Sequence, residues 1–209
     1  MKKKEIRRPI RSGEMEECAW ESLEGEDRIQ GVSLKQETIS GTLSASFDES
    51  ELDHVTFSGK GTGASFTDTV FQYCDFSNAD LDEVSFVRCE FQSCRLTGTT
   101  LIRASFRDTV FERCAADYAN FSGSHMNGFR FEACRMKEVS FSMCEFQNGS
   151  FSDCDLTSSD FTDTPLSGLD LSDSETSGIL VSPDALSGLT VNRIQAAELA
   201  GLLGIMIKD

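Results

Sequence analysis

The sequence predicts an all-β fold in which the chain winds as a solenoid around a four-sided column. Three observations lead to this prediction. An apolar residue recurs at every fifth position from Phe66 to Leu171, a small residue lies two places before almost all of them, and both patterns recur at every twentieth position. An α-helix, with a period of about 3.6 residues, and a flat strand, with a period of about 2, do not produce such spacing.

Every position of the five-residue series is apolar. Of its 22 positions, 13 are Phe and six are Leu, and the others are Ala116, Met126 and Met136. The positions two residues earlier hold Ala, Cys, Ser, Thr, Val or Gly in 20 of 22 cases, with Phe129 and Leu169 as the exceptions. A unit this short cannot bury an apolar face alone and must stack on its neighbours. We therefore expect two inward side chains in every five residues.

Four five-residue units that close one turn would place similar residues above one another in successive coils. One such column reads Cys74, Cys94, Cys114, Cys134 and Cys154, and another reads Phe71, Phe91, Phe111, Phe131, Phe151 and Leu171. Phe129 is too large for its column and would overfill a packed lumen. Gly149 follows one coil later in the same column, so we expect it to leave space for the Phe129 ring.

The period is out of phase before residue 66. Ile29, Leu34 and Ile39 share one register, whereas Phe47, Leu52 and Phe57 share another. The chain therefore slips twice, near residues 40–46 and 58–65, and each slip is either an irregular part of the first coils or a functional loop. After Leu171 the phase continues to Val191. We assign residues 1–28 to a partly flexible lead-in, 29–191 to the coil and 192–209 to a C-terminal cap and dimerisation tail.

The C-terminal segment predicts a short helix from Arg193 to Leu203. Asn192 is a suitable N-cap, Gln195 completes a capping box, and Gly204 is a plausible stop. The apolar residues of this segment exceed what one cap over a coil end should bury, and the coil end also exposes strand edges that need cover. We expect a tail-to-tail homodimer, held by Ile194, Leu199, Leu202, Leu203 and Ile205.

The sequence contains few residues that could support catalysis. The two histidines, His54 and His125, provide no basis for a triad or a metal site, a linear cysteine column does not supply tetrahedral metal ligands, and no phosphate-binding glycine motif occurs. We expect no enzyme activity, no metal and no cofactor. With no apolar run of export or membrane length, we expect a cytoplasmic protein with reduced thiols, although stacked cysteines would also lie within bridging range.

The acidic charge is concentrated toward the C-terminal end of the coil. Residues 1–11 carry a net charge of +5, whereas residues 138–192 hold ten acids and no base, within a total of −16. Eight coils at about 4.8 Å each give a dimer of roughly 77 Å with about 0.4 negative charges per Å, against about 0.6 per Å for B-DNA. This charge disfavours nucleic acids and anionic membranes as partners and favours cationic protein surfaces, but solubility alone also explains an acidic surface.

The repeat resembles that of the pentapeptide-repeat family, in which a central Leu or Phe follows a small residue by two places; SNADL at 77–81 is a close copy of that pattern. The resemblance implies a right-handed quadrilateral β-helix. The tail QAAELAGLLGI is similar to the dimerisation segment of the Qnr-type and mycobacterial fluoroquinolone-resistance branch of the family. Plasmid-type members of this branch carry long projecting loops, whereas the repeat here is unbroken from Phe66 to Leu171.

For function, the resemblance implies a DNA mimic that binds a type II topoisomerase, DNA gyrase or topoisomerase IV, and protects it from quinolones. The carboxylates expected to stand in for phosphates are those of Asp153, Asp155, Asp160, Asp163, Asp170, Asp173 and Glu175. The alternative is an interaction scaffold with an unrelated protein partner.

Overall fold

A computed structural model describes residues 5–202 and 204–208. In it the chain forms a parallel β-helix of about eight turns, followed by one short helix. Phe66, Phe71, Phe76 and Leu81 mark four successive sides, which we number one to four in that order. From Ser65 onward the strands of one side pair in parallel, and each coil contains four five-residue units, so that Ser65 lies beside Ser85 and Ser85 beside Ser105. The predicted four-sided coil is therefore confirmed.

Most of the strands lie on sides one and two. Side one holds Arg28–Gln30, Ser46–Asp48, Ser65–Thr67, Ser85–Val87 and Glu145–Gln147. Side two holds Val32–Lys35, Glu51–Asp53, Val70–Gln72, Glu90–Gln92 and Ser150–Ser152. Two strands, Ser105–Glu112 and His125–Glu132, continue around the corner between these sides. Side three holds Thr38–Thr42 and Thr56–Lys60, side four holds Asp160–Phe161 and Leu180–Val181, and single bridges connect the other coils there.

The corners explain the five-residue period. The residue two places after a central apolar residue commonly adopts a left-handed backbone conformation, and in the described part of the chain 20 non-glycine residues do so at φ angles between 48° and 62°. This conformation costs about 1–2 kcal/mol for a residue with a Cβ. A short extended segment and one such corner together use five residues, and the stacking of the coils offsets the backbone strain.

The lumen is filled with stacked side chains. All central positions from Phe66 to Leu171 are buried except Phe146, which is only half-buried. Along side two, the ring centroids of Phe71 and Phe91 lie 4.6 Å apart, and each of the next two steps, to Phe111 and Phe131, measures 4.5 Å. The predicted column of like residues is thus a continuous aromatic stack.

The small residues have a second role besides fitting the lumen. Thr99 Oγ1 donates to the carbonyl oxygen of Phe76 at 2.7 Å, Ser124 Oγ to that of Leu101 at 2.8 Å, and Cys94 Sγ to that of Phe71 at 3.4 Å. Each donor therefore satisfies a buried carbonyl group one coil earlier. All eight cysteines are free, and seven are buried; burial raises the pKa of the Cys89 thiol to about 12, which makes it unreactive.

Phe129 and Gly149 pack as the sequence predicted. A Cβ atom built on Gly149 would lie 2.0 Å from both Cε1 and Cζ of the Phe129 ring. The ring therefore occupies the volume that a side chain at Gly149 would need. It also lies 4.9 Å from the Phe146 ring, so we attribute the partial exposure of Phe146 to competition for the same space.

The two slips shorten the coil and do not extend it. Ile29 pairs with Phe47, and Phe47 pairs with Phe66, so these coils are two positions and one position shorter than the regular coil. On side three, Thr38–Thr42 and Thr56–Lys60 lie so close that a Cβ on Gly59 would be 2.0 Å from the carbonyl oxygen of Gly41. Both slips are therefore irregular parts of the first coils, and the start of the segment considered as an exposed loop, residues 58–60, belongs to a strand.

A short strand and a 3-10 helix close the N-terminal end of the coil. Glu16–Glu17 pairs in parallel with Val32–Lys35, and the 3-10 helix Trp20–Ser22 follows. Trp20 and Leu23 pack against the core, and the Trp20 ring stacks on Phe47 with centroids 6.5 Å apart.

At its other end the coil reaches Thr190, after a second 3-10 helix, Pro183–Leu186. The N–H of Thr190 donates to the carbonyl oxygen of Leu169 at 2.9 Å, and its carbonyl oxygen accepts from the N–H of Leu171 at 2.9 Å. Side two therefore continues to the last coil.

Candidate partner-binding surface

The predicted phosphate-mimicking carboxylates lie on three sides of the last coils. Asp153, Asp155, Asp173 and Glu175 line an open groove of about 430 Å³ around the corner of sides two and three. Within it, Asp155 is the register partner of Glu175 on the next coil. The other three residues do not join this groove: Asp170 lies on side two, Asp160 lies on side four, and Asp163 lies at the corner that follows it.

Most of these carboxylates are held in place by a donor two residues later. The backbone N–H of Thr157 donates to Asp155 Oδ1 at 3.2 Å, that of Thr162 to Asp160 Oδ1 at 2.8 Å, and that of Ser177 to Glu175 Oε1 at 2.9 Å. The same contact joins Ser172 to Asp170 at 3.0 Å. An acid placed just before a central apolar residue therefore receives a fixed position on the coil. In the sequence, this contact corresponds to a three-residue pattern: an acidic residue, then an apolar or small residue, and then Ser or Thr.

Hydrogen bonding lowers the pKa of two carboxylates of the groove. Burial would raise the pKa of Asp155, but bonds from Thr157 and an ion pair with Lys137 at 3.2 Å lower it overall. Bonds from the side chain and backbone of Ser177 lower the pKa of Glu175. Both groups are therefore charged at neutral pH.

The middle of the rod has little net charge. Seven of the eight basic residues between Arg88 and Lys137 form an ion pair with an acid, several of them on the neighbouring coil. Arg103 contacts Glu83 at 2.7 Å, for example. An average charge per unit length therefore misrepresents this surface, because the charge is concentrated at the ends.

A second acidic zone, which sequence reasoning missed, lies at the N-terminal end. Residues 14–53 contain 12 acidic residues and two basic ones, Arg28 and Lys35. A charge count restricted to this window would have found the zone. The basic residues of the N-terminus concealed it, because they precede it directly in the sequence.

The C-terminal helix covers the end of the coil. It spans Arg193–Leu202, and the predicted capping box is present: Asn192 Oδ1 accepts from the backbone N–H of Gln195 at 3.1 Å, and Gln195 Oε1 accepts from that of Asn192 at 2.8 Å. The buried Gln195 amide also donates to the carbonyl oxygens of Leu171 at 2.8 Å and Ser174 at 2.7 Å. One side chain thus caps the helix and satisfies two groups at the coil end.

The predicted dimerisation residues differ in their accessibility. Leu199 packs against the core of its own chain, so it is only partly available to a second chain. Ile194, Leu202 and Ile205 are exposed by 74%, 47% and 55%, respectively. Leu203 lies outside the described residues. An exposed apolar surface is therefore present on both the helix and the tail that follows it.

The two histidines lie at the surface, each beside a carboxylate. His54 Nδ1 is 2.7 Å from Asp53 Oδ1 and its ring stacks on Tyr73, whereas His125 Nε2 is 3.4 Å from Glu145 Oε2. Among residues 5–202 and 204–208, no group of three His, Cys, Asp or Glu side chains has a metal-binding arrangement. No helix in that part of the chain has the length and hydrophobicity to span a membrane.

Comparison with known proteins identifies similar sequences. Residues 64–134 match the family described as a pentapeptide repeat region, and residues 117–153 and 134–173 match pentapeptide repeats of eight copies. The chain is 31% identical over 75 residues to the quinolone resistance pentapeptide repeat protein QnrB96 of Scandinavium goeteborgense. That alignment covers 35% of each protein, so the chain spans about a third of the length of this relative.

Several solved structures align with most of this chain. A trypsin-treated variant of QnrB1, a plasmid-mediated fluoroquinolone resistance protein, matches with a TM-score of 0.46 and 23% identity over 87% of this chain and 90% of that one. HetL, a pentapeptide repeat protein involved in heterocyst differentiation regulation in Nostoc sp. strain PCC 7120, matches with a TM-score of 0.27 and 13% identity over 82% of this chain and 92% of that one.

Proposed function

Because this chain belongs to the pentapeptide-repeat family, a family of structural repeat proteins, we propose that it acts by binding and not by catalysis. The proposed partner is a type II topoisomerase, DNA gyrase or topoisomerase IV. The chain would occupy the DNA-binding surface of that enzyme as a homodimer in the cytoplasm, and would thereby protect it from quinolones. The similarity to a quinolone resistance protein over part of the chain supports this choice of partner.

The observation that carries the proposal is the acidic groove near the apolar tail. Its four carboxylates lie two each on two successive coils, which are separated by about 4.8 Å along the axis, a spacing comparable to the roughly 3.4 Å of helix axis per phosphate of one DNA strand. A protein surface that binds DNA presents Lys and Arg side chains to the phosphates, so charge complementarity would favour this end of the rod. Pairing two chains through Ile194, Leu202, Leu203 and Ile205, with a smaller part from Leu199, would bring two grooves together at the centre of a longer rod.

In this mechanism the protein and DNA compete for one surface. The carboxylates of Asp153, Asp155, Asp173 and Glu175 would pair with cations that otherwise bind phosphates, while Asp160, Asp163 and Asp170 extend the negative field to other sides. No bond is made or broken. Quinolone protection would follow if the drug requires the complex of the enzyme with DNA, because the rod reduces the population of that complex.

The test is a supercoiling and DNA-cleavage assay of gyrase and topoisomerase IV, with and without ciprofloxacin. Wild type is compared with the variant Asp153→Asn, Asp155→Asn, Asp173→Asn, Glu175→Gln. We expect the variant to lose most of its effect on both enzymes, because it removes four charges from the groove.

A matched variant controls for net charge. Glu14, Glu21, Glu24 and Glu26 are exposed at the opposite end of the rod, and their replacement by Gln removes the same number of charges. We expect this control to behave like wild type. If both variants are equally active or equally inactive, the groove is not the site of topoisomerase binding.

A second candidate is a scaffold with an unrelated partner. It is favoured by the coil itself, since both slips are shortened coils and the repeat from Phe66 to Leu171 has no projecting loop. Under this function the wild-type protein leaves topoisomerase activity unchanged at every concentration.

A further inference from the structure

The N-terminal arm, residues 5–14, lies along one edge of the rod. It crosses successive coils at the corner between sides one and two. The backbone N–H of Ser12 donates to Glu49 Oε2 at 3.0 Å, and that of Ile10 donates to Asp68 Oδ1 at 2.9 Å. One coil further, Arg8 Nη1 donates to Glu90 Oε1 at 2.7 Å.

The sequence of the arm suits this path. In an extended chain every second residue faces the same way, so the backbone N–H groups of Ser12 and Ile10, two residues apart, both point toward the edge. Pro9 has no N–H, but no hydrogen bond to the edge is needed at its position. Proline also favours an extended conformation for the residue before it. Arg11 adds an ion pair with Glu51 at 3.4 Å.

The edge is a row of carboxylates, of which Asp68 and Glu90 also accept hydrogen bonds from residues outside the arm. Asp68 is buried and already accepts two bonds from Arg88, at 2.7 Å and 2.5 Å, so its position does not depend on the arm. Glu90 has a side-chain exposure of only 11%. In the same corner column Asp108 is 4% exposed, and its Oδ1 is a buried acceptor without a hydrogen bond in the described structure.

The contacts of the arm are selective for an extended chain with arginine but tolerant of its other residues. Two of the four hydrogen bonds use backbone N–H groups, which any residue except proline supplies, and the Ser12 hydroxyl also donates to Glu49 Oε2. The bond from Arg8 is charge-assisted and reaches a largely buried carboxylate, the stronger class of such contacts. Beyond Arg8 the edge continues into a cavity of about 360 Å³ lined by Ile6, Arg130, Asn148 and Ser150, among others.

We propose that this edge is a binding site for an extended, arginine-containing tail of another protein, and that the N-terminal arm occupies it as an intramolecular competitor. The partner segment is recognised by two arginines three residues apart and by alternating backbone N–H groups, as in Arg8 to Arg11. The site lies apart from the acidic groove at the C-terminal end, and the proposal does not depend on topoisomerase binding.

The competition has a predictable strength. A segment tethered to its site has an effective concentration in the millimolar range, so a free peptide must displace the arm before it binds. Weakening the arm should therefore strengthen the binding of a free peptide, although no residue of the edge has changed. This increase distinguishes a shared site from general attraction between charges.

The experiment measures fluorescence anisotropy of a labelled peptide with the sequence of residues 5–14. The proteins are the full-length wild type, the arm variant Arg8→Ala, Arg11→Ala, and the same variant with Glu49→Gln and Glu90→Gln. We expect the arm variant to bind the peptide at least about tenfold more tightly than wild type, because effective concentration no longer favours the arm. We expect the added Gln substitutions to reverse most of that gain.

A scrambled peptide of the same composition is the control for charge. Unfolding curves of all three proteins verify that the coil is intact; if Glu90→Gln destabilises it, Glu49→Gln alone is used, since Glu49 lies outside the buried core. The proposal is overturned if the arm variant binds no more tightly than wild type, if the Gln substitutions have no effect, or if the scrambled peptide binds as well as the arm sequence.

Discussion

The packing of Phe129 against Gly149 permits a double-mutant test of the four-sided coil. A methyl group on Gly149 would lie 2.0 Å from two ring carbons of Phe129, whereas carbon atoms in contact are separated by about 3.5–4.0 Å. The ring or the backbone would therefore move by about 1.5 Å to restore that separation. We expect Gly149→Ala to destabilise the protein by about 1–3 kcal/mol, the range for an overpacked core.

The effect of Gly149→Ala on stability should have the opposite sign when the Phe129 ring is absent. Gly149 is not among the residues with positive φ, so its backbone conformation suits alanine. In the Phe129→Ala background, alanine should therefore stabilise the protein by about 0.4–1 kcal/mol, because it reduces the conformational entropy of the unfolded chain. Phe129→Ala alone should cost about 3–5 kcal/mol, since the ring is fully buried. The two effects of Gly149→Ala then differ by about 1.5–4 kcal/mol, which is the coupling energy of the pair.

The assay is urea unfolding of wild type, the two single variants and the double variant, followed by far-UV circular dichroism. Additive effects, or a destabilising Gly149→Ala in the Phe129→Ala background, would refute the argument. Either result would mean that the two residues, one coil apart, do not share one volume of the lumen.

The corners, the tail and the arm each lead to a further prediction. Ala133 is exposed with φ at 52°, so Ala133→Gly should raise the free energy of unfolding by about 1 kcal/mol by removing left-handed strain, whereas Ala115→Gly, outside the positive-φ corners, should lower it. If the tail dimerises, Ile194→Asp should convert the dimer to a monomer, as measured by analytical sedimentation. The control Met143→Asp places the same charge on an exposed apolar residue in the middle of the rod and should leave the dimer intact. A monomeric wild type would contradict the prediction. Burial alone would raise the pKa of Asp68, but bonds from Arg88 and from the arm lower it below the ordinary value. Its contribution to stability is therefore present above its unfolded pKa and is lost as the pH falls through its lower folded pKa, so stability measured from about pH 6 to pH 2 should fall less steeply in Asp68→Asn than in wild type.

Much of the fold was readable from the sequence because the coil is built from local, repeated choices. The position of Phe91 between Phe71 and Phe111, the Cys94 column and the space at Gly149 all follow from spacing alone, since each unit contacts only its neighbours. The helix cap at Asn192 was predictable for the same reason, because its contacts lie within four residues. The central residue Phe146 departs from its pattern, because its exposure depends on the ring of Phe129 beside it and not on the period.

The sequence by itself determined the four-sided coil, the order of its columns and the acidity of its C-terminal end, because a regular period translates directly into position. The tertiary structure alone decided which carboxylates share a groove, that ion pairs neutralise the middle coils, and that the arm lies against Glu49, Asp68 and Glu90. Many of these contacts join residues far apart in the sequence, such as Arg135 and Asp117, 18 positions apart, and Arg8 and Glu90, 82 positions apart. They depend on how side chains orient at the corners and on where a nonrepeating segment returns to the coil, and the five-residue period specifies neither.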